Sequence, residues 1–487
     1  MTAMTGKPAF ALKLGFTCFV LLVVAGLGSA SAQNLPPEVE AALQKAKVPR
    51  DAVAMLVVDA DGRNPPRLSH RASVAMNPAS VMKLVTTYAA LDLLGPAFVW
   101  NTPVFIEGAV RDGTLYGNLG IKGQGDPKLV AERLWLLLRR VQGLGVKTIS
   151  GDIVLDHSAF SLPASDPADF DGEPLRPYNV SPDALLLNYK SVVMTFVPDR
   201  SVNTAQIAFD PPLAGVQEQT SVTLSAGECG DYRTTLRADF SDPTQIRFDG
   251  SYPAACLEKV WPVAYADPKT YATRAIEGMW LEMGGKLGGS VRDGKIPVPP
   301  GAATNPVFEV SSPALAEVIR DINKYSNNVM AQQLFLTLSL QARAPGNTGS
   351  ATLEASREVI KRWWQERITG ADAPVMDNGS GLSRSERISA QALGRLLQTA
   401  WLSPLMPELM ASLPVAGIDG TMRRNRGKAY GSAHLKTGSL RDVAAVAGYV
   451  HGASGKRYVL VAMTNHANAN AARPALDALL DWAVKDN

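Results

Sequence analysis

Cysteine and histidine are scarce in this chain: three cysteines and five histidines among 487 residues. The histidines, at 70, 157, 434, 451 and 466, form no His-Glu-x-x-His pair, and no Gly-x-Ser-x-Gly elbow occurs. No metal and no organic cofactor are therefore expected. An excess of either charge is also missing. Forty-eight basic residues stand against 45 acidic ones, a net +3, so nothing points to a polyanion such as nucleic acid. Low-complexity tracts and internal repeats are absent. Hydrophobic residues make up 46% and charged residues 19%, a balance that excludes a disordered chain. At this length two or more domains are expected.

The one long apolar run, Leu14 to Leu27, is short for a membrane span. Lys7 and Lys13 precede it, and Ala30-Ser31-Ala32 follows as a small-x-small cleavage pattern. Residues 1–32 thus read as a secretory signal peptide, with the mature chain starting near Gln33. An exported, periplasmic protein with no stable membrane span after cleavage is expected. Loss of Lys7 and Lys13, with no acid in that segment, takes the net charge from +3 to about +1. Cys18 belongs to the apolar run. In an oxidising compartment the remaining pair, Cys229 and Cys256, is expected to form a disulfide rather than a zinc site or a nucleophile. On the chain-entropy account such a bridge contributes roughly 3–4 kcal/mol.

The pattern along the chain changes twice. A helix is expected at Pro36–Lys47, strands at Ala52–Asp59 and Leu68–Ala72, and a helix beginning near Ser80 and closed by Gly95-Pro96. Residues 99–300 are rich in Gly, Pro, Asp and Thr with short alternating runs. They read as a β-rich insertion with one helix at Lys128–Val141, and Pro297–Pro306 as its exit linker. Helices follow at Pro313–Asn323, Asn328–Leu340, Thr352–Arg367 and Ala390–Leu402, with Trp363 and Trp364 as core. Strands at His434–Lys436, Val443–Val450 and Tyr458–Thr464 precede a last helix, Ala471–Val484. The outline is α+β: a five-stranded antiparallel sheet from both ends of the mature chain, terminal helices on one face and mid-chain helices on the other. The first part of this domain spans 33–98 and the second 301–487.

Three short motifs carry the chemistry. Ser80 and Lys83 stand i, i+3 at the start of a helix, on one face. A lysine with depressed pKa can activate a serine nucleophile, and the first helical turn directs free N–H groups at the reacting carbonyl. Lys436-Thr437-Gly438 ends an apolar strand, with Ser439 next. A Lys and a Thr hydroxyl there can bind a carboxylate, and Gly438 lets substrate backbone approach. Ser326-Asn327-Asn328 lies at a break between helices, where Ser326 can relay a proton and Asn328 can hold a substrate amide. A second Ser-x-Asn, at Ser201-Val202-Asn203, precedes no helix and reads as a loop. Ser-x-x-Lys alone arises about once by chance in a chain this long; the three motifs in this order, each in its required context, are more telling.

With these motifs the chain resembles the penicillin-binding proteins and serine β-lactamases. Five further stretches are similar to the penicillin-binding protein 4 type across nearly the whole mature chain. They are Asn77–Lys83, Gly123–Pro127, Gly151–Asp156, Asp377–Arg384 and Gly417–Thr421. The long gap between Ser80 and Ser326 matches that type as well. The resemblance implies a serine-type D-Ala-D-Ala carboxypeptidase with D,D-endopeptidase activity, acting on peptidoglycan peptides and acylated by β-lactams. It implies Ser80 as the acylated residue, Lys83 as general base, Ser326 as proton relay and Asn328 as substrate positioner. Lys436 would supply positive potential, Thr437 would bind the terminal carboxylate, and the N–H groups of Ser80 and Ser439 would form the oxyanion hole. Arg384 would meet a stem-peptide carboxylate, and Asp166, Asp169 or Asp171 a substrate amine. Two rival readings are a β-lactamase or D-amino-acid esterase on the same fold, and a non-catalytic peptidoglycan-binding scaffold. Oligomeric state is not legible.

Overall fold

The computed structural model describes residues 34–296, 305–343, 349–425 and 427–486. The expected leader at 1–32 and most of the expected linker, 297–304, lie outside the described residues. Two strands, Val443–His451 and Arg457–Asn465, form the centre of a five-stranded antiparallel sheet. Their unbroken Val, Ala and Leu runs fit strands covered on both faces. Val53–Asp59 joins them in register from Val53 opposite Thr464 to Asp59 opposite Tyr458. Leu68–His70 forms one edge and Ala433–Leu440 the other.

Strand alternation sorts the side chains between two cores. Ala54, Leu56 and Val58 pack with the mid-chain helices, among them Leu393 and Leu397. Val53, Met55 and Val57 face the terminal helices through Val39, Leu43, Leu476 and Leu480. The expected layers are therefore present. Trp363 and Trp364 are buried as expected, with indole N–H groups donating to Asp92 (2.8 Å) and to the Ala371 carbonyl (3.0 Å).

Within the region expected to be β-rich lie a seven-stranded and a five-stranded sheet. Phe308–Ser311 pairs with Asn101–Arg111 in the larger one, so the chain re-enters this region's sheet after residue 300. The expected helix is Ala131–Gly143. A second long helix, Tyr271–Glu282, was not expected there. Its pattern is interrupted by Gly278, a residue that weakens a helix by about 1 kcal/mol against alanine. Glycine is needed at that point: a Cβ would stand 2.4 Å from the Pro212 carbonyl oxygen. A disulfide joins Cys229 and Cys256. Among the described residues no helix is long and apolar enough to cross a membrane.

The β-rich region is stapled to the helix Asn328–Gln341. Gln333 accepts from the Asp183 N–H (3.0 Å) and donates to its carbonyl (2.8 Å). The Asp183 carboxylate in turn pairs with His157 and with Lys190, the latter at 2.8 Å. Burial opposes charge on His157, but the Asp183 carboxylate at Nδ1 and Asp293 at Nε2 outweigh burial and push the imidazole up to about 9. A folded-state pKa raised above the unfolded value gives stability that is complete below about pH 6.5 and lost as pH rises through about 9. His157→Gln is therefore expected to lower the melting temperature at about pH 6 and much less at about pH 10. Equal losses in thermal melts at the two pH values would contradict this.

Candidate active site

Asn77 anchors the start of the site. Its Oδ1 accepts from the Ala79 N–H and its Nδ2 donates to the Ser383 carbonyl, both at 2.8 Å. Asn465, at the end of a central strand, clasps the Asn77 backbone from both sides, at 2.8 and 2.9 Å. This grip holds Ala79 at φ +47°, a left-handed conformation unusual for a non-glycine residue and often found at functional sites. Ser80 follows in the short 3-10 turn Ala79–Met82, which leads into the helix Lys83–Leu94.

Lys83 is fully buried. Its Nζ lies 2.7 Å from Asn328 Oδ1, at hydrogen-bond distance from the Ser380 carbonyl, and 3.0 Å from Ser80 Oγ. A neutral amine has two hydrogens and one lone pair. Asn328 Oδ1 and the Ser380 oxygen can only accept, so they take both hydrogens. The lone pair is left for the Ser80 hydroxyl. Burial, and next the charge of Lys436, hold the Lys83 ammonium well below the usual lysine range, against the opposing effect of Glu386. The electrostatics thus favour the free-base form, and the contacts accommodate it.

Lys436 is also fully buried. It donates to Ser326 Oγ (2.9 Å) and to the Thr437 carbonyl (2.7 Å), and burial pushes its pKa down to about 7. Ser326 ends the helix Leu315–Tyr325 in a left-handed conformation, φ +58°. Asn327 then caps the next helix by accepting from the Met330 N–H. Asn328 uses its free Nδ2 on the Tyr178 carbonyl, 3.0 Å away. The three motifs therefore meet in one place: Ser80, Lys83 and Asn328 in one hydrogen-bonded group, Ser326 and Lys436 in the adjoining one.

The edge strand explains the rest. A Cβ at Gly438 would stand 2.4 Å from the Pro78 carbonyl oxygen. What the structure shows for this glycine is close approach of the strand to the backbone before Ser80, whereas substrate approach was the expectation. Thr437 Oγ1 bonds Thr421 Oγ1 at 2.7 Å, and Ser439 Oγ accepts from Arg473 at 2.8 Å. Arg384 is exposed, pairs with Asp442 (3.0 Å) and lies 4.6 Å over the Phe170 ring. Asp171 is already engaged by Tyr178 (2.9 Å) and Asn179 (2.7 Å). Asp166 and Asp169 instead border a cavity of about 260 Å³ shared with Phe170, Gln332 and Leu382.

Several contributors had no sequence signal: Asn465, the Tyr178 and Ser380 carbonyls, and Glu386. A lone acid in a Ser- and Arg-rich stretch reads as surface, yet Glu386 has no exposure. Its Oε1 accepts from the N–H groups of Asp377 (3.0 Å), Asn378 (3.2 Å) and Gly379 (3.2 Å), fixing the loop that carries Ser380. Burial pushes its carboxyl up to about 7. Glu386→Ala strands three N–H groups and is expected to destabilise the fold by about 2–4 kcal/mol in denaturant titrations. A change under about 0.5 kcal/mol would show that water replaces the carboxylate freely.

The chain is similar to known proteins over most of its length. A D-alanyl-D-alanine carboxypeptidase of Actinomadura sp. (strain R39) is 30% identical over 407 residues, covering 80% of this chain and 73% of the relative. The D-alanyl-D-alanine carboxypeptidase DacB of Haemophilus influenzae is 25% identical over 406 residues, 81% and 82% of the two chains. The crystal structure of that organism's penicillin binding protein 4 (dacB) superposes with TM-score 0.68 at 22% identity, over 91% of this chain and 99% of that one. The same protein has been solved complexed with a β-lactam. Bd3459, a predatory peptidoglycan endopeptidase of Bdellovibrio bacteriovorus, shares the fold at TM-score 0.52 and 17% identity, over 89% and 92%. Residues 35–485 match one family throughout, and the chain belongs to the D-Ala-D-Ala carboxypeptidase 3 (S13) family.

Proposed function

We propose that this protein is a periplasmic enzyme that cleaves D-Ala-D-Ala termini and D,D cross-links of peptidoglycan stem peptides through a Ser80 acyl-enzyme. The observation that supports this most is the Lys83 amine, fully buried, its pKa held well below the usual lysine range and 3.0 Å from Ser80 Oγ. In this reading Lys83 takes the Ser80 proton as Oγ attacks the scissile carbonyl. The N–H groups of Ser80 and Ser439 receive the developing oxyanion. Ser326 relays that proton from Lys83 to the leaving amine, which departs as the acyl-enzyme forms and leaves Lys83 neutral. Water then attacks the ester and gives a proton to Lys83, which returns it to Ser80 Oγ as the ester bond breaks. Asn328 positions the substrate amide, and Thr437, supported by the charge of Lys436, binds the leaving carboxylate. Ala433–Leu440 is an edge strand, so substrate backbone can add alongside it. Arg384 meets a stem-peptide carboxylate, its Asp442 pair being exposed and exchangeable. Asp166 and Asp169 border the cavity that can receive a stem amine.

A β-lactam presents a similar amide and is expected to acylate Ser80. Intact mass spectrometry after benzylpenicillin treatment should find one adduct, absent in Ser80→Ala. An adduct that persists in Ser80→Ala would overturn the assignment.

The pH dependence follows from the two lysines. Lys83 must be neutral, so kcat/KM falls as pH drops through its lowered pKa. Lys436 must be charged, so kcat/KM falls again as pH rises through about 7 in the free enzyme. The alkaline limb of kcat lies higher, because a bound carboxylate favours the charged amine. A kcat/KM profile that keeps rising above about pH 8 would exclude this division between the two lysines.

A further inference from the structure

Past Thr437 and Ser439 the edge strand borders a cavity of about 210 Å³ that Thr421, Arg424, Asn425 and Arg473 also line. Thr421, Arg424 and Arg473 continue into an adjoining recess, where Arg423 joins them. Three arginines thus line the space beside the strand that carries Thr437. None makes an ion pair with a described acid. Arg473 donates to Ser439 Oγ (2.8 Å) and Asn470 Oδ1 (3.1 Å), both uncharged. The one acid lining the cavity, Asp477, is held by Asn425 Nδ2 at 2.8 Å and feels the charge of Arg473, short of an ion pair. Other arginines have acid partners: Arg357 pairs with Asp377 and Arg384 with Asp442.

We propose that this recess binds a leaving group carrying a second carboxylate, so that the enzyme favours cross-linked acidic peptides over free D-alanine as the departing amine. The proposal rests on the reading that Thr437 holds the carboxylate on the leaving side. Free D-alanine has a single carboxylate, and the Thr437 hydroxyl accounts for it. The strand released from a cross-link is itself a peptide with further carboxylates. An extended chain advances roughly 3.3 Å per residue, so one or two residues carry the next acid past Thr437 into the recess. Guanidinium forks match carboxylates in pairs, and arginines without acid partners in a concave site are free to do so.

The test uses the full chain carrying both Arg423→Gln and Arg424→Gln. Its substrates are a cross-linked muropeptide dimer and a monomeric pentapeptide muropeptide. For the dimer kcat/KM is expected to fall about tenfold, mainly through KM. Hydrolysis of the monomer and acylation by benzylpenicillin should change less than about twofold. The paired Arg→Lys variant should recover most of the loss, and raising salt should weaken wild-type action on the dimer selectively. No loss on the dimer, or equal loss on both substrates, would overturn the recess while leaving the Ser80 reading standing. Wild type that takes no benzylpenicillin would overturn both.

Discussion

Two lysine side chains without solvent exposure, Lys83 and Lys436, lie close enough for one to depress the pKa of the other. Burying one ammonium ion is unfavourable, and burying two like charges together is worse. The fold relieves this by asymmetry. Lys83 is given two acceptors that suit a neutral amine, and Lys436 is given a hydroxyl and a carbonyl that suit either state. In the proposed mechanism one is the base and the other the reserve of positive charge, and reactivity at Ser80 follows from that division.

The asymmetry has to be held from several directions. The Ser380 carbonyl is fixed because Glu386 ties down the backbone of residues 377–379. Asn328 is fixed by its helix and by the Tyr178 carbonyl. The turn bearing Ser80 is clasped by Asn465 at the end of a central strand. Gly438 lets the edge strand close against it. Loosening any of these restraints lets water reach the lysines and returns their pKa values toward ordinary ones, so that Lys83 would hold its proton at neutral pH.

This explains which parts were readable beforehand. The sheet was legible because Val443–His451 and Arg457–Asn465 are unbroken apolar runs, and the helices around it because their apolar residues recur with helical spacing. The residues that meet around Ser80 were legible because the motifs that hold them, Ser-x-x-Lys, Ser-x-Asn and Lys-Thr-Gly, have fixed spacing. What stayed hidden acts through backbone atoms or through burial. Carbonyls of Tyr178 and Ser380 are invisible to a reading of side-chain types. Glu386 has the letter of a surface residue, and only the fold reveals that three N–H groups surround it. The helix Tyr271–Glu282 was masked by a glycine whose reason, the Pro212 backbone, is 66 residues away in sequence.

The β-rich region is part of this chemistry. Tyr178 and Phe170 come from it, one holding the amide of Asn328 and the other lying under Arg384. Asp183 binds it to the very helix that Asn328 begins, through both hydrogen bonds of Gln333. Residues of the 163–182 stretch border one cavity, and the arginines past Thr437 border another. In the proposed mechanism two such cavities suit a substrate with peptide on both sides of the scissile bond, which a cross-link has and a terminal D-alanine lacks.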